Sequence, residues 1–375
     1  MPKITIIGAG FGGLTAIRTL RKQLPDAHIT LIAPKAEFVY YPSLIWIPSG
    51  LRQGDDLRIP LSNFLTRQKV KFHQGRVTGL KDGGRTVITD TGEIHNDALI
   101  IASGGRGIKK LPGIEHSIAI CDGIAAAESI RDKLAALEGG TIAFGFGGNP
   151  LEPTAVRGGP MFELLFGVDT LLKRWGKRDK FELVFFNPSD APGNRLGPKA
   201  VSGLLGAMRQ RNIRTHLGHK ITGFDADKVK TEGGDIAADL ILFMPGMTGP
   251  DWLANSGLPL SAGGFIQSDR TCQVLNHAGV FVIGDSGSYA GTADWLPKQG
   301  HAADLQAVTT VTNLIAHLNG KPATQTFKEE LICIVDTLNA GIMVFRDHKR
   351  AWVIPNKLWH YAKRLFEWRY LSQYR

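Results

Sequence analysis

Three cysteines in 375 residues, Cys121, Cys272 and Cys333, are too few and too scattered for a disulfide scaffold. None falls in a CxxC or zinc-ligand spacing, so no metal site is expected. The chain also lacks an apolar run near the roughly 18 to 20 residues that a membrane-spanning helix needs. It opens at Met1-Pro2-Lys3 directly into the strand-like Ile4-Thr5-Ile6-Ile7, without the apolar stretch of a secretory leader, and a place on the cytoplasmic side is the expectation. No fixed repeat is visible. With 43% hydrophobic and only 21% charged residues, a disordered or collagen-like chain is excluded and a sizeable core is expected.

Glycine and positive charge are abundant instead. The 45 glycines fall in clusters at the ends of apolar runs, where loops would pack against a ligand. Forty-four Lys and Arg against 34 Asp and Glu leave a net charge of +10, which suits nucleic acid, an anionic membrane or an acidic ligand. Residues 349–375 alone carry +6 of that total, so the rest of the chain is close to balanced.

Residues 4–7 run into Gly8-Ala9-Gly10-Phe11-Gly12-Gly13 and then into Leu14 to Leu24 with helical spacing; His28-Ile29-Thr30-Leu31-Ile32 follows as a second strand. This strand, tight turn and helix is a dinucleotide-binding unit, in which Gly8, Gly10 and Gly13 let the backbone approach a pyrophosphate at the helix N-terminus. The position for a ribose-binding acid holds Ala33, followed by Pro34-Lys35, which leaves Glu37 or backbone groups for that role. Asp97 to Gly105 and Leu240 to Gly246 are buried-type strands ending in small residues. Between them, Thr141 to Pro150 and the strand Glu182 to Phe186 form a second unit of the same kind. It reads as a poor nicotinamide-nucleotide site, because Pro150 takes the third glycine position, the helix is delayed through Pro160, and the strand ends in Asn187-Pro188. Near the C-terminus, Gly284-Asp285 ends a strand, and Pro297-Lys298-Gln299-Gly300 opens a helix. An aspartate there suits a ribityl chain, and the helix start suits a flavin carbonyl.

Taken together, these residues resemble the two-dinucleotide-domain flavoproteins, and within them the sulfide:quinone oxidoreductase and flavocytochrome sulfide dehydrogenase branch. The resemblance covers nearly the whole chain. It includes the glycine turn, the Phe38 to Trp46 stretch, Gly284-Asp285, Pro297-Lys298-x-Gly300, and Cys333 with Asp336 three residues later. It implies an α/β fold of two Rossmann-like domains with a C-terminal amphipathic tail. The expected division is a FAD-binding domain at 1–107 and 239–322, a second Rossmann-like domain at 108–238, and a C-terminal region at 323–375. FAD would be held by Gly8, Gly10, Phe11, Gly13, Pro42, Val77, Ser103, Gly104, Gly284, Asp285 and Lys298. Chemistry would fall to Cys333, Cys121, Arg157 and Lys298, the lysine answering the charge of a reduced flavin.

This chain departs from the pattern at the sulfur site. Arg157, in Arg157-Gly158-Gly159-Pro160, stands where the family has the partner cysteine, and Ala125 and Arg195 stand where family histidines would fall. A lone Cys333 forms no bridge unless Cys121 reaches it. Arg157 would lower the Cys333 pKa or bind an anionic substrate.

On a helical wheel from Lys357, Leu358, Trp359, Tyr361, Ala362, Leu365, Phe366, Trp368 and Tyr370 share one face, and Lys357, His360, Lys363, Arg364 and Glu367 the other. A basic, aromatic-rich helix over 349–375 suits a bilayer interface. Its other readings are docking on the chain's own core or on a second copy in a homo-oligomer. No nucleic-acid module is present. The expected function is a peripheral membrane FAD oxidoreductase passing two electrons from a small-molecule reductant, sulfide or a related sulfur compound, to a membrane quinone. Gln299 and His301 are candidates for quinone contact. The alternatives are a type-II NADH:quinone oxidoreductase and a degenerate FAD-binding sensor or partner-binding protein.

Overall fold

Strand Lys3–Ile7 lies in the middle of a five-stranded parallel sheet, flanked by Ala98–Ile101 and His28–Ala33, with Val280–Val282 and Val70–Gln74 at the edges. The structure is a computed structural model that describes residues 1–375. Both faces of this sheet are covered, as its continuous apolar strands require. Ile4, Ile6, Ile29, Leu31 and Ile100 enter one core cluster, together with Leu14, Ile17 and Leu20 of helix α1 (Phe11–Gln23). The alternate residues Ile7, Ile32, Leu99 and Ile101 enter another on the opposite face.

A second parallel sheet runs in the order Ser117–Ile118, Leu240–Met244, Gly140–Phe146, Phe181–Asn187, Ile213–Leu217. The expected return to the first domain at 239 is therefore placed too early. Leu240–Met244 pairs with Gly140–Phe146, from Ile142 opposite Leu240 to Phe146 opposite Met244, and belongs to the second sheet. Such fully buried strands look alike in sequence, and only pairing assigns them. Helix α2 (Gly159–Arg174) packs into the core of this layer. Helix α3 (Gly300–Leu318) returns to the first layer and packs on α1.

The C-terminal region differs in part from the sequence expectation. Leu331–Asp336, Gly341–Arg346 and Ala351–Asn356 form an antiparallel three-stranded sheet, so the first third of the basic tail is strand. Helix α4 (Leu358–Leu371) follows. No helix is long and apolar enough to cross a membrane.

Candidate active site

The ends of both parallel sheets, the C-terminal sheet and α4 enclose one cavity of about 1560 Å³. Three helices start on it: Gly10 and Phe11 of the α1 end, Gly158 and Gly159 of the α2 end, and Gln299 and Gly300 of the α3 end all line its wall. None of the three helices has a side-chain cap or an acidic residue in its first turn. Their free N–H groups and positive dipole ends make the cavity a receptor for negative charge.

The glycine turn has the shape a dinucleotide needs. Gly8 adopts φ +105°, and a Cβ there would lie 2.3 Å from the Ala102 carbonyl oxygen. One on Gly13 would lie 2.1 Å from the Gly8 carbonyl oxygen, so Gly13 serves helix–strand packing and does not line the cavity. At Gly10 nothing lies within 4 Å, which leaves the backbone open to a ligand. Phe11, Pro42, Val77, Ser103, Gly104, Gly284, Asp285 and Lys298 line the same cavity. So does Glu37, the proposed substitute for the missing ribose acid, whose carboxylate lies 3.5 Å from Arg58. Gln299 carries a buried amide nitrogen without a partner at the α3 start. These features fit a flavin dinucleotide: a cradle that any side chain would fill, uncapped helix ends and an orphan donor.

The second glycine turn is braced by two asparagines, while Gly147 and Gly148 line the cavity. The Asn187 side chain donates to the Phe146 carbonyl oxygen at 2.8 Å, and the Asn149 side chain donates to those of Met247 and Gly263 at 2.9 and 3.0 Å.

Arg157 is not among the groups that shift the Cys333 thiol. Its guanidinium pairs with Asp285, the residue expected to receive a ribityl chain, and it lies beside Cys121 and Tyr41. Burial raises the Cys121 thiol pKa against the opposing pull of Arg157. The Cys333 thiol is pushed up to about 12 by burial, with Glu163 adding to the shift, and Arg157 does not relieve it. Cys333 is thus a neutral thiol, and all three cysteines are free. Its sulfur lies 3.9 Å from the Cβ position of Gly159, at the start of α2. Lys298 is buried, its ammonium donating to the Gly287 carbonyl oxygen 4.1 Å from the Phe265 ring centroid. Burial lowers its pKa to about 8 despite nearby Asp285. His301 hydrogen-bonds Glu330 at 2.9 Å.

The tail helix turns His360 and Glu367 of its polar face inward, together with Tyr370 of its apolar face. His360, Glu367 and Tyr370 are buried, while Leu358, Tyr361, Leu365, Phe366 and Trp368 are each more than half exposed. His360 meets Asp336 at 2.8 Å, Glu367 takes Arg52 at 2.5 Å, and Lys363 pairs with Glu163. Trp46, at the end of the Phe38 to Trp46 stretch, donates its indole N–H to Asp336 at 3.2 Å. Sequence reasoning also missed Asp304, which accepts from Thr15 at 2.6 Å and from Tyr370 at 3.1 Å and whose pKa burial raises to about 6. Its signal was its place one turn after Gly300, on the same side of α3.

Residues 2–307 match the family described as pyridine nucleotide-disulphide oxidoreductase. The chain is 25% identical to a sulfide-quinone reductase of Aquifex aeolicus over 97% of this chain and 89% of that one. It is 22% identical to a type II NADH:quinone oxidoreductase of Staphylococcus saprophyticus over 86% of this chain and 84% of the relative. The solved sulfide:quinone oxidoreductase of Aquifex aeolicus superposes with a TM-score of 0.92 at 24% identity, covering all of this chain and 92% of the other; this likeness speaks to the fold.

Proposed function

The chain belongs to the pyridine nucleotide-disulphide oxidoreductase family, and we propose that it uses FAD to pass two electrons from a small sulfur compound to a membrane quinone. The observation that carries this reading is a single cavity bounded by the glycine turn, by Cys333 and by a tail helix whose apolar side faces outward. Quinone-reducing relatives and a sulfide-quinone reductase among them support the pairing of donor and acceptor.

FAD would be held by Gly8, Gly10, Phe11, Pro42, Val77, Ser103, Gly104, Gly284 and Asp285, with Gly13 packing the helix behind the turn. Bound there, it supplies the two-electron acceptor and donor that the amino acids lack. A cofactor that draws on Asp285 would release Arg157 as a cation at the donor end. Lys298 keeps a positive charge at neutral pH and is the group that would answer negative charge gained on reduction. Cys333 and Cys121 lie at the same cavity and form the thiol side of the donor end.

At the other end, Leu358, Tyr361, Leu365, Phe366 and Trp368 offer rings and alkyl chains to the lipid interface. Lys357, Arg364 and Arg369 supply attraction to anionic headgroups, on the cytoplasmic face in this reading. A quinone would then reach the cavity past Trp359, Ala362 and Phe366 without leaving lipid, and Gln299, His301 and Asp304 would serve contact or proton delivery there. The NADH reading is disfavoured by Pro150 in the third glycine position and by Asn187 at the strand end, where a ribose-binding acid would stand.

Anaerobic stopped-flow of the flavin-loaded protein tests the proposal. Sulfide, a thiol or persulfide, or a sulfur oxyanion should bleach the oxidised flavin band rapidly, and a quinone should restore it. Fast bleaching by NADH alone would transfer the chain to the NADH:quinone class, and failure of every reductant would favour a sensor or binding protein.

A further inference from the structure

Two of the three departures from the family pattern at the sulfur end, Arg157 and Arg195 but not Ala125, share one chemical character. A thiol position became Arg157, an imidazole position became Arg195, and the structure brings both arginines to the same cavity wall. Arg195 spans two segments of that wall. Its guanidinium donates to the carbonyl oxygens of Thr154, at 2.8 Å, and Val156, immediately before Arg157. It also donates to that of Leu296, two residues before Lys298. All its acceptors are neutral carbonyls, and its Nε is buried without any partner. Burial lowers its pKa to about 10 and no carboxylate offsets that loss.

The carboxylates around this end are already engaged. Asp285 takes Arg157 in the flavin-free chain and, in the function proposed above, turns to the cofactor and leaves Arg157 free. Glu163 takes Lys363. Glu152, which faces Lys298 from behind, accepts from Thr154, Ser261 and Ser288 at 3.0, 2.9 and 3.1 Å. Between the two arginines lies the start of α2, a helix of 16 residues, where the Gly158 and Gly159 amides donate to no acceptor in the chain. The Gly159 α-carbon is bare toward the cavity except for the Cys333 sulfur.

We infer that this end of the cavity, between Arg157, Arg195 and the Gly158-Gly159 amides, is a binding site for a small oxyanion carrying two or more acceptor oxygens on one centre. Forked guanidinium donors and paired amides match such oxygens in a way that they do not match the single sulfur of hydrosulfide. The helix end and the uncompensated Arg195 charge set the sign. Sulfite, thiosulfate and small carboxylates share this chemistry. The site names the ligand class of the donor end and so deepens the function proposed above.

Isothermal titration of the oxidised, flavin-loaded protein in chloride buffer, with thiosulfate, sulfite and acetate as separate probes, decides the matter. One site per chain is expected for at least one of the three, and the arm that binds distinguishes a sulfur oxyanion from a carboxylate. Arg157→Gln should weaken binding at least tenfold. Arg195→Lys, which keeps the charge but loses the fork, should weaken it severalfold. No binding by any of the three, or equal binding by Arg157→Gln and the natural protein, overturns the inference. Flavin bleaching by hydrosulfide without any oxyanion binding would sink this inference and leave the proposed function standing. Oxyanion binding in a protein that never reduces quinone would do the reverse.

Discussion

His360 Nδ1 lies 2.8 Å from Oδ2 of Asp336, with both side chains buried, and this contact ties the tail helix to the strand that carries Cys333. Asp336 also accepts from the Trp46 indole at 3.2 Å and the Leu338 amide at 2.8 Å. Aspartate three residues after Cys333 is thus a structural acceptor for three donors from three segments.

Asp336→Ala strands those donors in the interior. A loss on the order of 3 kcal/mol is expected in urea unfolding, with protease cleavage appearing first around α4. Asp336→Asn should lose less, since it still accepts. Unchanged stability in Asp336→Ala would show that α4 is held by other contacts.

Leu365 and Trp368 are each 62% exposed, so replacing both with Glu should leave the melting temperature nearly unchanged. Flotation with anionic vesicles should be lost in the same variant. Point changes test the membrane contact better than removal of 349–375, because that truncation also deletes Ala351–Asn356 from its sheet. Flotation that survives the double substitution would remove the lipid contact from the proposal.

Asp304 titrates at about 6 in the folded chain against an ordinary 3.8, through burial. The folded state therefore binds the proton more tightly, and this group's contribution to stability is lost as pH rises from about 4 to about 6. Above that window the buried carboxylate costs about 3 kcal/mol. Asp304→Asn should flatten the pH dependence of unfolding between about pH 4 and about pH 6 and stabilise the protein above that window. An unaltered slope would place the titration elsewhere.

Gly10→Val and Gly13→Ala separate ligand space from packing space. A Cβ on Gly10 meets nothing within 4 Å, whereas one on Gly13 falls 2.1 Å from the Gly8 carbonyl oxygen. Gly10→Val should keep the melting temperature of the flavin-free protein yet lower the flavin-to-protein absorbance ratio severalfold. Gly13→Ala should lower both. Normal flavin content in Gly10→Val would move the cofactor off this turn.

The first strand, glycine turn and helix were legible because those elements are local. Gly8, Gly10 and Gly13 lie within one turn, next to apolar runs of period two and then 3.6, and those periods need no tertiary contact to be read. Leu240–Met244 was misassigned for the opposite reason: an all-apolar strand carries no mark of which sheet it joins, and Ile142 opposite Leu240 decides it. The cysteines were found by resemblance, but their chemistry was not foreseen, since burial and not Arg157 governs the Cys333 thiol.

By itself the sequence determined the first strand, glycine turn and helix, the arginine at position 157 where the resembled family has a cysteine, and the two faces of the tail helix. Tertiary structure decided which residues of those faces turn inward. Asp336, Glu163 and Arg52 offer buried partners to His360, Lys363 and Glu367, and a buried charge with a partner is tolerated where one without is not. It also decided that Arg157 meets Asp285, 128 residues away, because Coulomb pairing and desolvation depend on distance in space and leave no periodic trace along the chain.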